Sequence, residues 1–348
     1  MSEYINYPFS AIVGQEEMKL ALILNVINPG LSGVLIRGEK GTGKSTAVRS
    51  LANILPEIEV IEGSCFNLDP ATELETHWQI MEAMGHAKPG TGERKIGVTR
   101  RKVEVVELPV GATEDRVAGT LDIEHALKTG EKRIEPGILA KAHRNILYVD
   151  EVNLLDDHVV DIMLDAAAMG VHTIEREGIS FTHPSRFTLV GTMNPEEGDL
   201  RPQLLDRFGL CVVVKGTTSI EERVEIMKRR LSFEKKPEAF IEAWRGEDEA
   251  LVDKIEHARN IYPEVIASED CLKTIASICL EAGVDGHRAD IIMLKAAKTL
   301  AAWYGENEVK EGHILKAAEF VLPHRTRRLP MMEMEESIEK IIHRSLQG

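Results

Sequence analysis

Residues 38–45 read Gly-Glu-Lys-Gly-Thr-Gly-Lys-Ser, a G-x-x-x-x-G-K-S spacing that leaves a chain few ways to fold. Glycines let successive backbone N–H groups curl into a concave cradle, and the positive end of a following helix adds to its pull on phosphate oxygens. The pattern has this meaning only between a strand and a helix. Both flanks comply: Gly33-Val34-Leu35-Ile36-Arg37 is a short apolar run, and Thr46 to Leu55 has helix character until Pro56. In that setting Gly38, Glu39, Lys40, Gly41, Thr42 and Gly43 form the loop. Lys44 is expected to reach the β- and γ-phosphates, Ser45 to ligate Mg²⁺, and Thr46 to lie near the α-phosphate. ATP and Mg²⁺ are the expected cofactors.

Two further apolar runs end in groups suited to the same chemistry. Ile146-Leu147-Tyr148-Val149 is followed by Asp150-Glu151, two carboxylates at a strand end where phosphates sit in α/β folds. Asp150 would hold Mg²⁺ through water, and Glu151 would polarise the attacking water. The run at 187–191 leads to Asn194 in Gly191-Thr192-Met193-Asn194-Pro195. Its amide could orient that water, or simply form the turn before Pro195; the order of the three motifs favours the first. Arg207, in Asp206-Arg207-Phe208-Gly209, and Arg288, in His287-Arg288-Ala289-Asp290, could bring positive charge to the γ-phosphate. By residues alone, both serve equally as surface arginines paired with Asp206 and Asp290.

Apolar strand-like runs alternate with helical segments up to Cys211-Val212-Val213-Val214, as in a parallel α/β sheet. Beyond Lys215 helical periodicity dominates, with candidate helices at 219–231, 247–260, 268–282, 287–304, 311–321 and 333–345. The expected architecture is an α/β P-loop domain over 1–231 and an all-helical domain over 232–348, with a hinge at Ser232 to Pro237. The polar, glycine-punctuated stretch 85–133 reads as an insertion containing a hairpin, with Val103 to Leu108 inside it.

With 57 acidic residues against 42 lysines and arginines, the net charge of -15 works against phosphate backbones and anionic lipid. Arg100-Arg101-Lys102 and Arg325 to Arg328 are short basic pieces, expected to be subunit contacts or solvated faces. Nucleic acid and membranes are therefore not expected partners. Cys65, Cys211, Cys271 and Cys279 form no CxxC pair or metal spacing, and no long apolar stretch or signal-like start occurs. A reducing cytoplasmic location is expected.

Together these residues resemble the AAA+ ATPases, and among them the I subunit (ATPase subunit) of magnesium chelatase. The similarity runs from Phe9-Ser10-Ala11-Ile12-Val13-Gly14-Gln15 to Arg325-Thr326-Arg327-Arg328-Leu329-Pro330. Its most specific stretches are 108–117, 146–158, Glu175-Arg176-Glu177-Gly178-Ile179-Ser180 and 194–209. The resemblance implies that Ile12 and Val13 pack near adenine, that Asn194 is the first sensor and Arg288 the second, and that Arg207 is a finger acting across subunits. It implies hairpin insertions around 100–125 and 171–187. It further implies a hexameric homo-oligomeric ring, a D subunit with a related AAA+ module, and a separate large subunit carrying porphyrin and metal, where ATP hydrolysis drives insertion.

Cobalt-inserting relatives share the I-subunit pattern, and nothing in the chain reads the metal. A chaperone-like AAA+ protein that remodels a metalloprotein would carry the same motor. A nucleic-acid motor is disfavoured, because the hairpin segment Thr173 to Ile179 sets Glu175 and Glu177 around one arginine.

Overall fold

The computed structural model describes residues 6–64, 66–84, 96–121, 134–176, 179–284 and 286–326. Contacts divide the chain into two compact units, one of Met1–Leu55 with Val190–Gly348, the other of Pro56–Leu189. The first unit opens with α1 (Glu16–Ile27), β1 (Val34–Gly38) and α2 (Lys44–Leu51). The second begins with β2 (Ile58–Ile61), α3 (Leu74–Ala83), β3 (Val98–Arg101), β4 (Val105–Leu108) and α4 (Glu114–Ala118). It continues with β5 (Gly119–Leu121), β6 (Ile134–Pro136), α5 (Ile138–Ala142), β7 (Ile146–Val149) and α6 (Asp157–Met169). The hairpin strands β8 (Val171–Arg176) and β9 (Ile179–Pro184) precede β10 (Thr188–Met193), which leads back into the first unit. There follow α7 (Pro202–Leu205), β11 (Leu210–Val214), α8 (Ile220–Lys235) and α9 (Pro237–Ile261). The last elements are α10 (Glu269–Glu281), α11 (Arg288–Trp303) and α12 (Glu311–Val321).

In the first unit β1 pairs in parallel on both sides, Val34 opposite Val190 of β10 and opposite Leu210 of β11. A strand with neighbours on both edges and covered faces needs a nearly continuous apolar run. Val34, Leu35 and Ile36 supply it, all fully buried. Arg37 is the exception, and its buried guanidinium is matched by Asp199 at 2.7 Å. Gly38 closes the strand for a steric reason: a Cβ there would lie 2.3 Å from the Val214 carbonyl oxygen.

Val105 to Leu108 departs from the sequence expectation. It is a parallel strand, Val105 opposite Ile146 and Leu108 opposite Val149, rather than an arm of a hairpin. β-propensity shows that such a segment is extended but not which strand it joins. Antiparallel pairs do form at β5 with β6, and at β8 with β9 from Val171↔Pro184 to Arg176↔Ile179.

The helical region follows the expected segments with two exceptions: α8 continues to Lys235, through most of the hinge expected at Ser232 to Pro237, and α9 starts at Pro237 rather than near 247. Gly246 and the charged residues around it mask the apolar period, and an interior glycine costs roughly 1 kcal/mol. Packing outweighs that cost: buried Phe240 meets Tyr7 at 5.3 Å and Phe233 at 5.7 Å between ring centroids. Lys236 separates α8 from α9. The candidate helix at 333–345 lies outside the described residues, as do Cys65, Asp285, Arg327 and Arg328. No helix among the described residues is long and apolar enough to cross a membrane. Burial pushes the Cys211 and Cys279 thiols up to about 12, which makes both poor nucleophiles at neutral pH.

The second unit buries His183 beside Phe66, with His172 at 5.5 Å across the hairpin. Its Nδ1 donates to the Pro184 carbonyl at 2.9 Å, and burial pulls its pKa down to about 4. The unfolded chain binds this proton from about pH 6.5. The contribution is therefore complete above pH 6.5 and lost as the pH falls towards 4, by up to about 3 kcal/mol. His183→Asn keeps a donor for Pro184 and removes the titration. Urea unfolding across this pH window is expected to show a shallower stability loss in the variant, and an identical slope would count against it.

Candidate functional site

The loop after β1 has its shape written into the backbone. Gly41 and Gly43 sit at φ +79° and +83°, where a side chain would be strained. Gly43 caps α2, so the N–H groups of the first helical turn point into the loop. Lys44 folds back over the same loop, its Nζ donating to the Gly38 and Glu39 carbonyls at 2.7 Å each. Thr42 Oγ1 donates to the Glu39 carbonyl at 3.0 Å. The ammonium thus rests on two carbonyl oxygens of the loop, whose N–H groups a phosphate chain could engage.

Beside the loop lies a cleft of about 710 Å³, lined by Ile12, Val13, Gly41, Thr42, Gly43 and Thr46 among others. Gly14 and Gln15, both with positive φ, turn the chain from Ile12-Val13 into α1. The opposite wall is the start of α8, with Glu222, Arg223, Ile226, Met227 and Arg230. Sequence reasoning found Ile12 and Val13 but not this wall. Its signal was faint: Ile226 and Met227 are 43% and 57% exposed, two of several apolar side chains on a largely charged helix. An apolar slot continuous with a glycine-rich loop and a lysine suits a nucleoside triphosphate, base against Ile12, Val13 and Ile226, phosphates along the loop.

Asn194 is buried at the end of β10, and its Oδ1 accepts from the Glu196 amide at 3.2 Å. The turn role weighed against the sensor role is therefore real, whatever else the side chain does. The segment behind it is tied to β1 and its loop by two ion pairs, Lys40 with Glu197 and Arg37 with Asp199. Neither pair is apparent from spacing.

Arg288 begins α11, and its Nη1 lies 3.4 Å from Asp206 Oδ2. It is thus next to the turn that carries Arg207, and Asp206 is the partner, in place of the Asp290 suggested by sequence proximity. Arg325 corrects another expectation. Among the basic piece 325–328 it was to be solvent-facing or a subunit contact, yet its side chain is 1% exposed. A guanidinium survives burial when its donors are all met, and here they are bound to Asp206, Phe208, Gly209 and Val321.

In the other unit, β7 is buried throughout and delivers Asp150 and Glu151 at its C-terminal end. Asp150 Oδ1 accepts from the buried Tyr148 hydroxyl at 2.8 Å. Glu151 adopts φ +54°, ψ +55°, a left-handed conformation costing roughly 1 kcal/mol or more in a non-glycine residue and concentrated at functional positions. Nothing in the sequence foretold that.

A putative ATPase from Cytophaga hutchinsonii shares the fold at a TM-score of 0.63 and 17% identity, covering 96% of this chain and 91% of that one. Residues 272–344 match the model of the AAA lid domain. Parallel strands, phosphate loop and helical C-terminal region together define an AAA+ P-loop ATPase. Residues 121–218 match the model of magnesium chelatase subunit ChlI. The magnesium-chelatase subunit ChlI homolog of Methanocaldococcus jannaschii is 54% identical over 97% of this chain and 90% of its own length. The subunit ChlI of Synechocystis is 48% identical over 97% and 94%. A structure of the complex between subunits BchI and BchD of magnesium chelatase aligns at a TM-score of 0.55 and 47% identity, covering 96% of this chain and 99% of that one. The chain belongs to the ChlI subunit family of magnesium chelatases.

Proposed function

We propose that this chain is the ATP-hydrolysing motor subunit of a magnesium chelatase, driving insertion of Mg²⁺ into protoporphyrin IX held by a separate large subunit. The observation that carries this reading is the near-full-length identity with ChlI proteins, joined to a cleft and loop shaped for a nucleoside triphosphate. MgATP, when bound, supplies a phosphoryl group whose transfer to water releases the driving energy. Gly38 to Thr46 would bind the phosphates, Lys44 would neutralise their outer charge, and Ser45 and Asp150 would hold the metal. Glu151 would take a proton from the attacking water, and Asn194 would orient that water. Arg288 would reach the γ-phosphate of its own subunit, leaving Asp206 to do so. Arg207 would serve a neighbouring subunit's site, so that a ring, expected to be hexameric, is required for turnover. The likeness to BchI in a complex with BchD supports a D subunit as partner.

Reconstitution tests the whole reading. Mixed with a D subunit, a large subunit, protoporphyrin IX and MgATP, the protein is expected to yield Mg-protoporphyrin fluorescence. Failure with magnesium but success with cobalt on a cobalamin-type substrate would assign it to cobalt insertion. For the finger, Arg207→Ala and Glu151→Gln proteins are each expected to be inactive alone, and to recover ATPase activity on mixing. Full activity of pure Arg207→Ala rings would remove the finger role.

A further inference from the structure

Arg325 lies just beyond α12, and all five of its N–H donors are engaged. Nε donates to Asp206 Oδ1 at 3.0 Å, and Nη2 donates to the Asp206 carbonyl at 2.9 Å and to the Phe208 carbonyl. Nη1 donates to the Gly209 carbonyl at 3.0 Å and to the Val321 carbonyl at 2.7 Å. Four of these five bonds end on the turn Asp206-Arg207-Phe208-Gly209. The fifth ties the guanidinium to its own helix end. Every acceptor on the turn is backbone or the Asp206 carboxylate, so the grip fixes the path of the chain through Arg207 without touching its side chain. The remaining Asp206 oxygen, Oδ2, faces Arg288.

We propose that Arg325 is a positioning residue for Arg207: it clamps the 206–209 turn from the C-terminal helical region and so sets the geometry with which Arg207 meets a neighbour's nucleotide. The proposal rests on the reading of Arg207 as a finger acting across subunits. Only a planar five-donor fork can serve four acceptors on one turn at once; a lysine ammonium has three donors and no plane. A finger displaced by about 1 Å loses much of its effect, because transition-state charge stabilisation depends on close geometry. When Arg288 leaves Asp206 for nucleotide, Arg325 still holds the carboxylate, and the turn keeps its place.

Arg325→Lys preserves the charge and removes the fork. Its homo-oligomer is expected to show kcat for ATP lowered about tenfold or more, with KM within about twofold of the parent, since ground-state binding is untouched. Mixing it with Glu151→Gln subunits is expected to restore ATPase activity above the sum of the two alone, because its intact pocket then meets a correctly held Arg207 from the neighbour. Mixed with Glu151→Gln subunits, a protein carrying both Arg207→Ala and Arg325→Lys is expected to recover as much ATPase activity as Arg207→Ala does. The Arg207→Ala with Glu151→Gln mixture runs alongside. If that control fails to recover, the finger reading itself falls. If it recovers and the Arg325→Lys mixture does not, Arg325 acts within its own subunit and the proposal is overturned. Loss of nucleotide binding in Arg325→Lys would likewise overturn it, by making the clamp a requirement of folding.

Discussion

Lys44→Ala is expected to lower ATP hydrolysis by about two orders of magnitude or more while leaving the fold in place. The two halves of that expectation have separate grounds. Lys44 Nζ donates to two carbonyls of its own loop, at Gly38 and Glu39, and the Glu39 side of the loop is exposed. Water can take the place of the ammonium there, so stability changes little. The rate depends on a positive charge held against phosphate oxygens in a partly closed cleft, where it is worth far more than in bulk water. Phosphate release and thermal unfolding, measured on the same preparation, check both halves. A variant that hydrolyses ATP at the parent rate would remove the P-loop from the mechanism.

Gly209→Ala is expected to be the most damaging single methyl in the first unit. A Cβ at residue 209 would stand 1.5 Å from the Leu31 carbonyl oxygen and 2.7 Å from its carbon. Both atoms are backbone, so no side-chain rotation relieves the clash. The neighbourhood is already committed: Leu210 N donates to the Gly33 carbonyl at 3.0 Å, Phe208 is fully buried, and the Gly209 carbonyl holds Arg325. Strand β11 would have to part from the chain entering β1, at a cost of about 3 kcal/mol or more. Gly246→Ala is the matched control. It adds the same methyl within α9, where nothing lies within 4 Å, and should raise stability by up to about 1 kcal/mol. Urea midpoints that agree between the two variants would contradict the steric account.

The nucleotide loop was legible because its chemistry is local: eight consecutive residues, a strand before and a helix after. The helices beyond residue 215 were legible for the same reason, since an apolar period needs no knowledge of distant chain. What escaped depends on contacts far apart in sequence. Val105 to Leu108 gave its extended character but not its partner β7. The wall formed by Ile226 and Met227 became part of the cleft only once α8 lay opposite Gly14 and Gly41. The close approach of the Val214 carbonyl to Gly38 lies far along the chain and could not be read from the loop. Arg325 looked like one member of a basic surface run, and its burial follows from four acceptors around residue 206.

The placement of β1 also bears on how such a chain is made. Its two partners are residues 190–193 and 210–214, so the strand leaving a ribosome early has nothing to pair with until most of the polypeptide has followed. Closing loops of that length is slow, and unpaired apolar strands invite association with other chains. Synthesis of this protein therefore includes an interval in which Val34-Leu35-Ile36 is an exposed edge. Any truncation before β11 would make that interval permanent.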